Sequence, residues 1–124
     1  MKELVLEAKK DTLGVYCSKG EMTLEGNSIL PDPRKFFKPV NDWLDEYLTG
    51  SPVNTVITLK FNHIDTASVQ SIFDLLKKFK DHPEHASVLT VNWYFEFDDP
   101  ELLEVGEIME GRLKLNFNYI EYSN

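Results

Sequence analysis

The chain has 124 residues and a net charge of −8, with 42% hydrophobic and 27% charged residues. That size and balance describe one globular domain over residues 1–124 with its own core, and they argue against disorder. So acidic a surface repels phosphate backbones and anionic bilayers, so neither nucleic acid nor membrane is an expected partner, whereas basic protein surfaces are.

Cys17 is the single cysteine, which rules out an intrachain disulfide and fits a reducing compartment such as the cytoplasm. The N-terminus lacks the apolar run of a signal peptide, and no window approaches the roughly 18 apolar residues of a membrane span.

In chain order, Leu4 to Ala8 reads as a strand. Gly14 to Cys17 and Met22 to Glu25 form a hairpin around Ser18-Lys19-Gly20, and Gly26-Asn27-Ser28 is expected to end that part of the sheet. Pro31-Asp32-Pro33 opens a helix whose apolar residues, Phe36 to Leu48, recur at spacings of three and four. Pro39 marks a start or a kink in it. Thr49-Gly50-Ser51-Pro52 closes it, with Gly50 in a capping role.

Thr55 to Phe61 is rich in β-branched and aromatic residues and reads as a buried strand. Asn62-His63-Ile64-Asp65 is expected to be a loop. A second helix then starts at Asp65 or Thr66, carries Val69, Ile72, Phe73, Leu76 and Phe79 on one face, and ends at His82-Pro83. Ser87 to Phe97 alternates strictly as a strand. Asp98-Asp99-Pro100 starts a third helix reaching about Gly111. Leu115 to Tyr119 forms the last strand.

This order specifies an α/β fold: one mixed sheet of five to six strands, an N-terminal hairpin followed by helix–strand repeats, and about three helices lying mainly on one side.

The segment with most chemical content is Phe61 to Val69. A strand ends, a short polar stretch follows and a helix begins. The carboxyl end of a strand is where open α/β sheets place their sites, and a helix start accepts negative charge. Hydroxyl and carboxyl groups there have two readings. Asp65, Thr66 or Ser68 caps the helix, or Thr66 is a phosphorylation site, with Asp65 and Ser68 shaping its loop and contributing to partner binding. Phosphate at such a place adds about 1.5 to 2 negative charges without disturbing the core.

The third helix carries Glu101, Glu104, Glu107 and Glu110 at spacing three, a stripe that reads either as a solvated face or as a docking surface for a basic partner. His63 and Asp65 also admit a small enzyme with an imidazole acid/base. Against catalysis, the chain has no glycine-rich phosphate loop, no Gly-x-Ser-x-Gly and no dinucleotide fingerprint. His82 and His85 flank a helix-ending proline without further ligands, so neither a metal site nor any cofactor is expected. Cys17 reads as a buried structural thiol.

Four stretches, in order, are similar to one family. They are Gly26-Asn27-Ser28 with Pro31 and Phe36-Phe37; Trp43 to Tyr47; Leu59 to Ser68; and Val91 to Tyr94 continuing through Asp98-Asp99 to Glu104-Val105-Gly106-Glu107. Together they resemble the SiaC family of bacterial regulatory phosphoproteins, over about Gly26 to Asn118. The resemblance implies a partner-switching regulator that is not itself an enzyme. It implies that Thr66 is phosphorylated by a SiaB-type kinase and dephosphorylated by a SiaA-type phosphatase. It further implies that the unphosphorylated form binds an effector such as a diguanylate cyclase and so tunes biofilm formation.

The arrangement is also similar to that of STAS-type anti-sigma factor antagonists. The family often shows Asn-Thr-Ser-Ser where this chain has Asp65-Thr66-Ala67-Ser68, and Ile29-Leu30 lengthens the early motif. A constitutive adaptor without switching is the remaining alternative.

Overall fold

A computed structural model describes residues 1–123. The elements in chain order are β1 (Leu4–Leu6), β2 (Gly14–Ser18), β3 (Glu21–Ser28), α1 (Pro33–Tyr47), β4 (Thr55–Ile64), α2 (Thr66–Lys80), α3 (Pro83–Ala86), β5 (Leu89–Glu96), α4 (Pro100–Leu113) and β6 (Phe117–Tyr122). The six strands form one sheet in the order β1-β2-β3-β4-β5-β6. The first three pair antiparallel, and β3 to β6 pair parallel.

Every parallel crossover steps in the same direction along the sheet. Right-handed crossovers stepping one way place all their helices on the same side. The burial pattern follows. Ile57, Leu59, Phe61, Val91, Trp93 and Phe95 point into the core, while Val56, Thr58, Asn92 and Tyr94 occupy the other, uncovered face. On that face the ammonium of Lys60 lies over the Tyr122 and Tyr94 rings, 4.6 and 5.6 Å from their centroids.

Three expectations are corrected. The sheet does not end at Gly26: β3 runs on to Ser28 through a register shift between Gly26 and Asn27. Gly26 sits there at φ +112°, a conformation that glycine adopts without steric cost. Because β3 continues, β4 continues beside it, pairing Asn27 with His63 and Ser28 with Ile64. The expected loop Asn62-His63-Ile64 is therefore strand, and the turn into α2 is a single residue, Asp65.

Gly50 is not the cap of α1. That role falls to Leu48, whose N–H reaches Leu44 O and Glu46 O in right-handed geometry. α1 also continues through Pro39, which lies on the exposed side. A fourth helix, the single turn α3, breaks the chain after α2. It buries His85, whose Nε2 is 3.1 Å from Gly50 O.

Trp93 anchors α4 to the sheet. Its Nε1 donates to Leu102 O at 3.0 Å, and its ring contacts Gly106 so closely that a Cβ there would lie 2.8 Å from Cε2 and Nε1. Gly106→Ala is therefore expected to force α4 away from β5 and to lower unfolding free energy by about 1–3 kcal/mol, readable as a shift in the urea midpoint at unchanged slope.

Candidate functional site

The extension of β3 and β4 delivers Asp65 to a fixed place. Its backbone N–H donates to Ser28 O at 3.0 Å, carrying the last rung of the sheet into the turn. Its carboxylate then bridges two segments. Oδ1 accepts from the N–H of Ser68 at 2.8 Å, the N-cap bond of α2, and Oδ2 accepts from the N–H of Leu30 at 3.0 Å. Beneath it the Ser28 hydroxyl donates to Ser68 Oγ at 2.8 Å, and the Ser68 hydroxyl donates to Ser28 O at 3.1 Å. Ser28 and Ser68 are both fully buried. Partial burial of Asp65 pushes its carboxyl upward, but the hydrogen bonds from Ser68 and from Leu30 outweigh that and hold it below the usual carboxylate range.

These bonds assign the neighbouring groups. Asp65 and Ser68 shape the loop, and Ser68, at 0% exposure, offers no surface to a partner. Thr66, the first residue of α2, is exposed, and among the described residues no hydrogen bond to another residue engages its hydroxyl. The cap is thus Asp65, which leaves Thr66 available for another role.

Thr66 stands on the rim of a hollow of about 560 Å³. Ile29, His63 and Ile64 form one wall, Thr66 and Val69 of α2 a second, and Asp99, Glu101, Leu102 and Val105 at the start of α4 a third. Asp99 caps α4 by accepting from Leu102 N at 3.1 Å. The acids beside the hollow interact. Glu96 is pushed up by partial burial, by a hydrogen bond with Asp98 and by the charges of Asp98 and Asp99, with His63 acting in the opposite sense.

The glutamate stripe does not form one surface. An α-helix turns about 100° per residue, so each step of three falls about 60° short of a full turn, and three steps carry the last residue to the opposite side. Glu101 accordingly faces the Thr66 hollow and Glu104 faces solvent. Glu110 lies over β6, where it accepts from the Tyr119 hydroxyl at 2.7 Å. Burial and the charges of Glu110 and Glu107 raise Tyr119 well above the ordinary phenol range. Of the four, only Glu101 is brought to Thr66. Sequence reasoning did not include Ile29, Val69 and Val105 in the site. Their only signal is apolar character beside an exposed helix start.

An enzymatic arrangement around His63 and Asp65 is not assembled, because both oxygens of Asp65 are occupied by backbone N–H groups. Among the described residues no group of three or more His, Cys, Asp or Glu could hold a metal ion. The Cys17 thiol is pushed up to about 12 by burial, as befits a structural rather than a nucleophilic cysteine. No helix among the described residues is long and apolar enough to cross a membrane.

Comparison with known proteins decides the family. The model of the SiaC family of regulatory phosphoproteins matches residues 6–122. The chain belongs to the SiaC family. Membership places it among regulatory phosphoproteins.

Three solved structures share its fold. Apo-SiaC from Pseudomonas aeruginosa superimposes with a TM-score of 0.86 at 17% identity, covering 97% of this chain and 99% of that one. SiaC of the same organism, in complex with the diguanylate cyclase SiaD that it activates, gives 0.87 at 16% identity, covering 96% and 99%. A further structure of SiaC of Pseudomonas aeruginosa gives 0.80 at 19% identity, covering all of both chains. No curated protein matches the chain.

Asp65→Ala is expected to cost about 1–2 kcal/mol of stability at neutral pH. A carboxyl held low in the folded state contributes its stability above the unfolded value near about 3.9 and loses it as pH falls through the lower folded value. The gap between wild type and Asp65→Ala should therefore narrow below about pH 4, measured by thermal melts from pH 7 to pH 3. Asp65→Asn keeps one acceptor oxygen but turns an NH2 toward the other backbone N–H, so it should recover only part of the loss.

Proposed function

We propose that this protein is a phosphorylation-controlled binding module of a bacterial partner-switching pathway, acting in the cytoplasm, with Thr66 as its phosphoacceptor. One observation carries the reading: Thr66 is exposed at the first turn of α2 while Asp65 and Ser68, on either side, are committed to holding the turn. A hydroxyl so presented is open to a kinase, and its modification leaves the core untouched.

Family membership supplies the rest of the proposal. A SiaB-type kinase adds the phosphate and a SiaA-type phosphatase removes it. The unphosphorylated form engages an effector such as a diguanylate cyclase. The mechanism is local electrostatics. Phosphate brings about 1.5 to 2 negative charges to a helix start, where the dipole tolerates them. The same charge adjoins Asp99 and Glu101 across the hollow. It sharpens the acidity of that rim and places a strongly hydrated group at the mouth of a partly apolar depression. An effector that must cover the depression is repelled. Glu101 and the exposed Glu104 form the acidic edge against which partners are distinguished, and Glu107 and Glu110 lie round the helix from it.

Thr66→Ala is expected to unfold within about 0.5 kcal/mol of wild type, because the residue is exposed and is not the cap. It is expected to take up no phosphate from the cognate kinase. Intact-mass measurement with peptide mapping across residues 61–78 reads both forms. Phosphate persisting at another residue of the variant would reject the assignment. Its absence from protein purified from the native host would favour a constitutive adaptor.

A further inference from the structure

The hollow at Thr66 continues along the helices. Val69 and Val105 line it and also line a second depression of about 290 Å³, shared with Phe73, Ile108 and Arg112. The two make one trough between α2 and α4. Its middle is apolar and uncovered: Ile108 is 52% exposed, and Val69, Phe73 and Val105 are only partly buried.

The spacing along the trough determines what fits it. On α4 its face carries Glu101, Val105, Ile108 and Arg112, separated by four, three and four residues. On α2 the corresponding face carries Thr66, Gln70 and Phe73 and, one turn beyond the depressions, Lys77, with the same separations; Lys77 lies 3.6 Å from Asp81 in an exposed ion pair. Both helices connect parallel strands in the same sense, so they run side by side in one direction. Thr66 is level with Glu101 at one end, and Phe73 is level with Ile108 and Arg112 toward the other.

Turned end over end about an axis crossing its middle, this surface meets itself. Glu101 falls opposite Arg112, Val105 opposite Ile108, and Thr66 opposite Lys77. A two-fold interface requires this reciprocity, in which residue i meets j and j meets i. The helix dipole alone explains an acid at the start of α4 and bases at the ends of both helices. It does not explain why an exposed isoleucine and a phenylalanine lie level between those charged ends.

We propose that the α2–α4 trough is where a second copy of this chain docks antiparallel, and that phosphate on Thr66 is met by Lys77 of the second copy. The phosphate half of this rests on Thr66 being the phosphoacceptor, and the charge and apolar complementarity does not. The consequence is a second route of control. Phosphorylation tightens self-association over the trough and withdraws from the effector the surface beside Thr66.

Sedimentation velocity of the full chain over a range of concentrations tests this, with circular dichroism confirming that each variant is folded. Self-association is expected. E101R and R112E should each weaken it about tenfold or more by setting like charges opposite one another. The double variant E101R/R112E, which exchanges the charges and keeps the reciprocity, should restore it. Protein phosphorylated by the cognate kinase should associate about tenfold or more tightly than unmodified protein, and K77E should abolish that gain.

A chain that stays monomeric at every concentration in both phosphorylation states overturns the proposal. So does a double variant that associates no better than either single one. Phosphorylated protein that associates no more tightly overturns the role given to Lys77. A chain that accepts no phosphate at Thr66 defeats the phosphoacceptor assignment instead, and the charge-exchange variants still decide the dimer on unmodified protein.

Discussion

The carboxylate of Asp65 holds together the three pieces of chain on which the site depends. One oxygen terminates α2 at Ser68 and the other takes the N–H of Leu30, while its own backbone N–H extends the sheet to Ser28 O. With Ser28 and Ser68 joined beneath it, the end of β3, the turn after β4 and the start of α2 move as one body. A helix start leaves several N–H groups without intrahelical partners. Here the third of them is satisfied by Asp65, so Thr66 does not serve as the cap. The two adjacent residues thus divide: Asp65 holds the turn, and Thr66 stands exposed beside it without a part in the cap.

The same geometry limits what the chain can do chemically. An acid whose two oxygens already accept backbone hydrogen bonds, and which is held below the ordinary carboxylate range, is a poor proton acceptor. Recognition through shape and charge therefore suits this corner of the molecule better than proton transfer. The hollow beside Thr66 combines apolar walls from Ile29, Val69 and Val105 with the carboxylates of Asp99 and Glu101, so anything covering it would meet apolar surface and negative charge together.

Much of this was legible in the residues. Alternation in Ser87–Phe97 and the three-and-four spacing of the α1 and α2 faces placed the helices and the central strands, and the helix–strand order implied parallel pairing on one side. What was illegible came from long-range pairing. Asn62-His63-Ile64 is polar enough to read as a loop, and it becomes strand only because β3 persists past the Gly26 shift to pair with it. The cap at Asp65 was one of three hydroxyl or carboxyl candidates until the bond from Ser68 N–H decided it, and the Leu30 bond, across 35 residues, left no trace in the residues. The glutamate stripe failed as a unit for a geometric reason visible in the numbering: a period of three is not the period of a helix. The apolar half of the site left no mark, because Val69 and Val105 look like any core residue until their neighbours show them to be uncovered.

The strand order has a kinetic corollary. Each strand is flanked in space by the strands that flank it in sequence, so every new pairing closes a single connection, the β4–β5 one holding both α2 and α3. Each crossover still carries a closure entropy before its parallel pairing rewards it, but one that grows only slowly with its length. The N-terminal hairpin can form as soon as it is synthesised, and each following helix–strand unit can add to a template already in place. The Asp65 turn needs only β3, β4 and α2, whereas the hollow beside Thr66 waits for the start of α4.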